Sequence, residues 1–142
     1  MMRKSILFLL AVLAVSCGRN RTHAPEISLE EVSPGTVQEY QDSVYMRISF
    51  YDKDGDLGEN FTDDPNLFVV DNRLGLAHEF RISNIVPGGA EVSIQGELEW
   101  TINSVYITGS ENSETVDYDI YVVDRAGNQS NVLVTPAITI VE

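Results

Sequence analysis

Three aspartates at alternating positions could bind a metal ion. Asp52, Asp54 and Asp56 lie in the stretch DKDGDLGEN, residues 52–60. An alternating apolar run leads into this stretch, so we interpret it as a loop at the end of a strand. Carboxylates held this close repel one another unless water or a cation separates them. Calcium, which takes six or more oxygen ligands, is the cation that the pattern favours.

The same stretch also fits a plain solvated turn. An EF-hand loop counted from Asp52 would need Gly at position 57 and Glu at position 63, where this chain has Leu57 and Asp63. Asp-Gly is in addition a common turn former, and short acidic loops are usually solvated. Both interpretations stay open at this point, and in either one the role of the loop is structural rather than catalytic.

The N-terminus carries the features of a secretion signal. Arg3 and Lys4 precede an unbroken apolar run at residues 6–15, which is too short to span a bilayer. The run ends in AVSC, which resembles the lipobox of bacterial lipoproteins. In that family a peptidase cleaves before the cysteine, which then carries the lipid. The resemblance implies a signal peptide at residues 1–16, lipidation of Cys17 and attachment to a membrane.

Cysteine content and charge limit the possibilities further. Cys17 is the single cysteine, so a lipidated chain would have no disulfide and would depend on an ordinary hydrophobic core. Without residues 1–16, seven basic residues stand against twenty-two acidic ones, a net charge of −15. This balance argues against a nucleic-acid partner and is compatible with divalent cations.

The mature chain divides into a tether at residues 17–25 and one domain at residues 26–142. Helical spacing is absent, and short alternating runs are separated by turn signals. Strands are predicted at residues 25–33, 43–52, 66–71, 79–85, 92–102, 118–124 and 132–141. About seven antiparallel strands in a chain of this length predict an all-β sandwich of two sheets.

The strand at residues 92–102 permits two finer predictions. Gly96 lies in its middle, where a glycine indicates a bulge or a bend. Trp100 shares the apolar register with Leu98 and Ile102, so we expect its side chain in the core.

The C-terminal part of the chain is similar to a known class of domain. Residues 118–136 contain a strand, the pattern D-x-A-G-N-x-S and a second strand, as in the last hairpin of bacterial immunoglobulin-like and fibronectin-III-like modules. Together with FYDKDGDLGE and IQGELEWTI, this pattern resembles small Bacteroidetes lipoproteins. The resemblance implies an immunoglobulin-like sandwich in an outer-membrane lipoprotein that faces the periplasm or the cell surface. It implies no catalytic residues.

An immunoglobulin-like topology would bring a further carboxylate to the acidic loop. In such sandwiches the loop after the second strand and the loop of the last hairpin lie at the same end. We therefore expect Asp124, and with it Asn128, beside Asp52, Asp54 and Asp56. A carboxylate from a second loop would help to complete a calcium site.

Three tyrosines on outward strand faces form a weak candidate ligand platform, namely Tyr45, Tyr51 and Tyr121. Two functional classes follow. The first is a non-enzymatic envelope lipoprotein that contacts proteins or serves a larger complex, and the second is a carbohydrate-binding surface lipoprotein. Tyrosines clustered on one surface would favour carbohydrate binding, whereas tyrosines spread over both sheets would favour the first class. An enzyme is not expected, because no nucleophile elbow or phosphate-binding glycine loop occurs.

Overall fold

The computed structural model describes residues 23–86 and 92–142, and these consist of strands and loops without a helix. The strands are β1 (Glu26–Ser33), β2 (Thr36–Gln38), β3 (Val44–Asp52), β4 (Leu67–Asp71), β5 (Leu76–Phe80), β6 (Ile94–Ile102), β7 (Ser113–Val116), β8 (Tyr118–Val122), β9 (Leu133–Val134) and β10 (Ile138–Val141). The predicted all-β class is confirmed. Within the same ranges, no helix has the length and apolar character needed to cross a bilayer.

The strands form sheets that enclose one hydrophobic core. One sheet has the order β1-β3-β6 and another the order β5-β4-β8-β9. A third, with the order β2-β10-β7, continues the second along the chain, because only Asp117 separates β7 from β8. Buried side chains from all three sheets belong to a single cluster, as expected for a β-sandwich.

Period-two alternation correctly predicted which faces are buried. The inward positions of β3 and β8 are almost inaccessible to solvent, namely Val44, Met46, Ile48, Phe50, Tyr118, Ile120 and Val122. Trp100 is a core residue as predicted, with 8% of its surface exposed, and its ring lies 6.1 Å from that of Phe80 between centroids. The pattern is reliable here because side chains on a strand alternate strictly between its two faces.

The number and direction of strands were predicted incorrectly. Residues 23–86 and 92–142 contain ten strands rather than about seven, because β2 and β7 were missed and the predicted strand at residues 132–141 is two strands, β9 and β10. Thr135 interrupts that strand by donating its N–H to Tyr118 O and accepting the Tyr118 N–H on its hydroxyl. The sandwich is also not wholly antiparallel, since β2 pairs with β10 in parallel.

The strand predicted at residues 79–85 lies instead at β5, residues 76–80. The turn after β4 occupies residues 72–75, and the N–H groups of Leu74 and Gly75 both bond to Asp71 O, so that β5 begins directly after it. Gly75 supports this turn with a φ of 66°. Ile82 then leaves the strand, since its N–H donates to the side chain of Asn66.

Gly96 does not form the predicted bulge. The β3–β6 register runs without interruption from Val44↔Ile102 to Asp52↔Ile94, and a register shift occurs in β1 instead, between Leu29 and Glu31. A Cβ on Gly96 would lie 3.1 Å from the ring of Phe50, its cross-strand partner. Glycine is therefore used here to make room for an aromatic ring.

Candidate functional site

The acidic loop and the β8–β9 loop lie side by side at one end of the sandwich, which we call the acidic end. The backbone N–H of Arg125 donates to Asp56 O at 3.1 Å, and the Arg125 guanidinium donates to Gly58 O at 2.7 Å. The structure thus places Asp124 next to the acidic loop, as the sequence led us to expect. Arg125 was missed as a residue of this site, although it is the cation that directly follows Asp124.

Asp52 shapes the loop from inside. It is the last residue of β3, and its side chain is completely buried. Its carboxylate accepts the N–H of Asp54 at 3.1 Å and that of Leu57 at 2.7 Å. These bonds fold the loop back so that Leu57, also fully buried, joins the core. Asp52 therefore holds a turn together in the manner of an Asx turn.

Two glycines allow the loop to pass close to neighbouring backbone. Gly55 and Gly58 have φ values of 72° and 94°, which side chains of other residues rarely tolerate. A Cβ on Gly55 would lie 2.0 Å from Val92 O, and one on Gly58 would lie 2.3 Å from Ser83 O. Both positions of the D-G-D-L-G pattern are thus fixed by packing as well as by turn geometry.

Asp54 faces away from the other carboxylates. It accepts the backbone N–H of His23 at 2.9 Å, and its Oδ1 lies 3.1 Å from the Nδ1 of the same histidine. The backbone bond from His23, followed by the bond from the imidazole, holds the pKa of Asp54 below its ordinary value. Asp54 therefore fastens the described end of the predicted tether to the domain.

Asp56 is the carboxylate in the least favourable surroundings. Burial raises its pKa, and the neighbouring charges of Asp124 and Asp52 raise it further. Its Oδ1 is buried and has no hydrogen-bond partner among the residues that the structure describes. Asp124 does not share this deficiency, because Asn128 donates to both of its oxygens, at 2.7 and 2.8 Å.

The structure therefore separates the four predicted metal ligands. It brings Asp52, Asp56 and Asp124 within electrostatic range of one another and directs Asp54 to His23. In residues 23–86 and 92–142, no group of three or more His, Cys, Asp or Glu side chains that could hold a metal ion occurs. Calcium binding stays a prediction.

A cavity of about 310 Å³ adjoins the cluster and is lined in part by Glu59, Asp64, Asp124 and Arg125. Three of these four charged groups have structural partners. Glu59 accepts the N–H of Phe61 at 2.6 Å, and Asp124 and Arg125 make the bonds already described. The cavity thus has a charged wall whose groups hold the two loops in place.

The three predicted platform tyrosines do not share one surface. Tyr45 and Tyr51 lie on β3, where the hydroxyl of Tyr45 donates to Glu99 at 2.8 Å and Tyr51 is 43% exposed. Tyr121 lies on β8, in a different sheet, and stacks on Phe68 with 5.0 Å between ring centroids. The structure therefore places two of the three on one strand, six residues apart, and the third on another sheet.

Comparison of the chain with models of known protein families, with curated proteins and with solved structures finds no significant match. Cys17 and the predicted signal peptide lie outside the described residues, as does most of the tether. Functional arguments for this chain therefore rest on its own residues.

Proposed function

We propose that the protein is a non-enzymatic, lipid-anchored lipoprotein of the outer membrane, facing the periplasm or the cell surface. Its immunoglobulin-like module would bind a protein partner or act as an accessory to a larger complex. The observation that carries the proposal of an immunoglobulin-like module is the strand order of the sandwich.

The strand order supports an immunoglobulin-like topology. In such domains the first, second and fifth strands share one sheet, and the third, sixth and seventh share the other. The sheet β1-β3-β6 matches the first set. The sheet β5-β4-β8-β9 matches the second set, with β5 as an added edge strand of the kind found in variable-type domains. Domains of this class serve mainly in recognition at cell surfaces, although fold alone does not fix function.

The attachment of His23 supports an orientation for the anchored protein. Because His23 bonds to Asp54, the chain enters the domain at the acidic end. His23 is the sixth residue after Cys17, so a lipid on Cys17 would lie within about 20–22 Å of His23. The acidic end would therefore face the membrane, and the opposite end of the sandwich would face outwards.

The chemistry of the acidic end supports a non-enzymatic role. A catalytic acid or base must be free to reach a substrate proton. Here Asp52, Asp54 and Asp124 are engaged with backbone N–H groups of their own or neighbouring loops. These carboxylates are thus used to hold loops, and we expect the same groups to remain so in the anchored protein.

The lipoprotein proposal is tested with Cys17→Ser in the full-length chain expressed in a bacterial host. The unsubstituted protein is expected to incorporate a labelled palmitate and to partition into the detergent phase of an extract. The variant is expected to lose the label and to shift to the aqueous phase by more than about ten-fold, because acyl chains supply the membrane affinity. Ser16→Ala serves as the control, since it leaves Cys17 in place. Unlabelled native protein would contradict the proposal.

A calcium-stabilised loop is the second part of the proposal, and Asp56 is the observation that favours it. The unpartnered Oδ1 of Asp56 would be a ligand for a divalent cation, and the cation would relieve the repulsion from Asp52 and Asp124. Backbone carbonyls and water could complete the oxygen set that calcium requires. The ion would make the loop rigid and would supply no catalytic step.

Asp56→Asn tests this part through its opposite effects with and without the ion. In EDTA at pH 7 we expect the variant to be more stable by about 1 kcal/mol, because a poorly solvated charge is removed. The folded-state pKa of Asp56 is raised, so its penalty exists only where the group is ionised. The gain should therefore disappear below about pH 3, under the unfolded pKa.

In millimolar calcium the order should reverse. The unsubstituted protein should gain about 2.7 kcal/mol at a hundred-fold excess over the dissociation constant, and Asp56→Asn should gain little. Urea unfolding measures both, with Glu111→Gln, an exposed carboxylate outside the acidic end, as the control. An equal response of both proteins to calcium would exclude Asp56 as a ligand.

A further inference from the structure

Two exposed tyrosines stack on each other at the end of the sandwich opposite the acidic end. The rings of Tyr40 and Tyr106 are parallel to within 2°, with 5.9 Å between their centroids. Tyr40 is 66% exposed and Tyr106 is 39% exposed. Tyr40 lies between β2 and β3, and Tyr106 follows β6, at the end where Val44 pairs with Ile102. The two rings therefore stack, and Tyr40, the more exposed of the two, presents an aromatic surface to solvent.

The backbone at Tyr40 lies in a turn closed by the bond from Asp42 N–H to Gln38 O, in a conformation that its residue type disfavours. Tyr40 has a φ of 56°, and Ser104, two residues before Tyr106, has a φ of 57°. The left-handed region is unfavourable for a bulky side chain and is better suited to Gly or Asn. A tyrosine that stays largely exposed gains little burial in exchange. Strained residues of this kind cluster at functional sites.

Hydrogen bonds hold the backbone of the two loops that carry these tyrosines. The N–H of Tyr40 donates to Val105 O at 2.9 Å, which ties the two loops together. Ile107 N–H donates to the Glu39 carboxylate at 3.2 Å, and the Arg73 guanidinium donates to Tyr106 O at 3.0 Å. A surface ordered in this way before binding loses less conformational entropy when a ligand arrives.

We propose that Tyr40 and Tyr106 form a binding platform for a neutral carbohydrate, with a pyranose ring stacked on the exposed tyrosine face. One face of a pyranose carries C–H groups and is apolar, while its hydroxyls lie at the rim. An aromatic ring matches the apolar face, and flanking polar groups match the hydroxyls. Gln41, Asn103 and Ser104 are exposed beside the two tyrosines in the sequence and supply such groups.

Charge and size favour this ligand over others. The chain has a net charge of −13, which disfavours anionic ligands. A cation is best held by rings that surround it, whereas these two rings are parallel. A stable protein interface needs about 800 Å² on each partner with an apolar centre. Two tyrosines flanked by exposed polar residues are smaller than that and suit a sugar.

The inference rests on the proposed function for its orientation, because an anchor near His23 would place this platform outwards. Its test does not depend on the anchor. The full-length chain, kept in a detergent without a sugar headgroup, is run by affinity electrophoresis through gels that contain neutral polysaccharides. The panel comprises a β-glucan, an α-glucan, a xylan, a mannan and a galactan.

Retardation by at least one of these polysaccharides is expected. Tyr40→Asn should weaken it at least ten-fold while leaving the unfolding temperature unchanged or higher, because Asn accepts the left-handed backbone. Tyr106→Ala should weaken it similarly. Tyr51→Ala, which removes an exposed tyrosine from β3, should have no effect.

Three results would overturn the proposal. They are migration unchanged in every gel, an equal loss with Tyr51→Ala, and capture of a protein rather than a polysaccharide that depends on Tyr40. None of them bears on lipidation, which the palmitate label reports separately. If the protein carried no palmitate label but were still retarded by a polysaccharide, the proposed anchor would be contradicted and the proposed platform would be supported.

Discussion

Arg73→Met is expected to lower the free energy of unfolding by about 3–5 kcal/mol, the largest effect of any single substitution proposed for this domain. The Arg73 side chain is only 12% exposed, and it pairs with Asp71, which is 6% exposed, at 2.7 Å. It also pairs with Glu114 at 3.1 Å. Removing the cation leaves a buried carboxylate whose one remaining described partner is the backbone N–H of residue 73, and this is far more costly than the pair itself is stabilising.

The surroundings of Asp71 explain why the loss should be large. Asp71 ends β4 opposite Tyr118, and burial together with the Asp71 charge raises the pKa of Tyr118 to about 12. Tyr118 thus stays neutral at any ordinary pH, and Arg73 is the cation that balances the charge of Asp71. Because Arg73 also bonds Tyr106 O, its loss should loosen the loop that carries the tyrosine platform.

Urea unfolding at pH 7 measures the effect, and Arg47→Met is the matched control. Arg47 likewise forms two ion pairs, with Glu31 and Glu97, but it lies on an outer sheet face with its side chain 34% exposed. Its removal should cost far less than that of Arg73, because exposed ion pairs contribute little to stability. The double variant Asp71→Asn/Arg73→Met should recover part of the Arg73 loss. Equal losses for the two arginine variants would show that burial does not govern these pairs.

Asp52→Ala is expected to destabilise the domain by about 2–4 kcal/mol in EDTA as well as in calcium. The substitution removes the acceptor for two N–H groups, of which that of Leu57 is buried at 2.7 Å. An unsatisfied buried donor costs about 1–3 kcal/mol. Leu57 would also lose the bond that keeps its side chain in the core, and with it part of its apolar burial.

Two further variants separate turn geometry from metal binding. Asp52→Asn keeps one acceptor oxygen and should lose less than Asp52→Ala. Asp54→Ala removes the contacts with His23 at a partly exposed position and should cost much less than Asp52→Ala. Thermal unfolding in both media is the measurement. If Asp52→Ala were harmless in EDTA and harmful only in calcium, Asp52 would be a metal ligand rather than a turn residue.

The sequence by itself determined the all-β class and the inward faces of the main strands. Alternation in β3, β6 and β8 identified the inward residues correctly, including Trp100. It did so because a strand whose one face is buried must place apolar residues at every second position. Turn chemistry at residues 52–60 correctly predicted a loop there, since Asp and Gly have local conformational preferences that do not depend on the rest of the chain.

Only the tertiary structure decided how the carboxylates and aromatic rings are used. Asp54 bonds to His23, which is 31 residues away in the sequence. Arg73 bonds to Glu114 and Arg125 bonds to Asn84, each over a sequence separation of 41 residues. Tyr40 and Tyr106 come together in the same way, from two loops that no local pattern connects. Contacts of this kind depend on which strands pair and in which register. These contacts cannot be predicted from the spacing of residues within one segment, because strand pairing depends on burial over the whole domain.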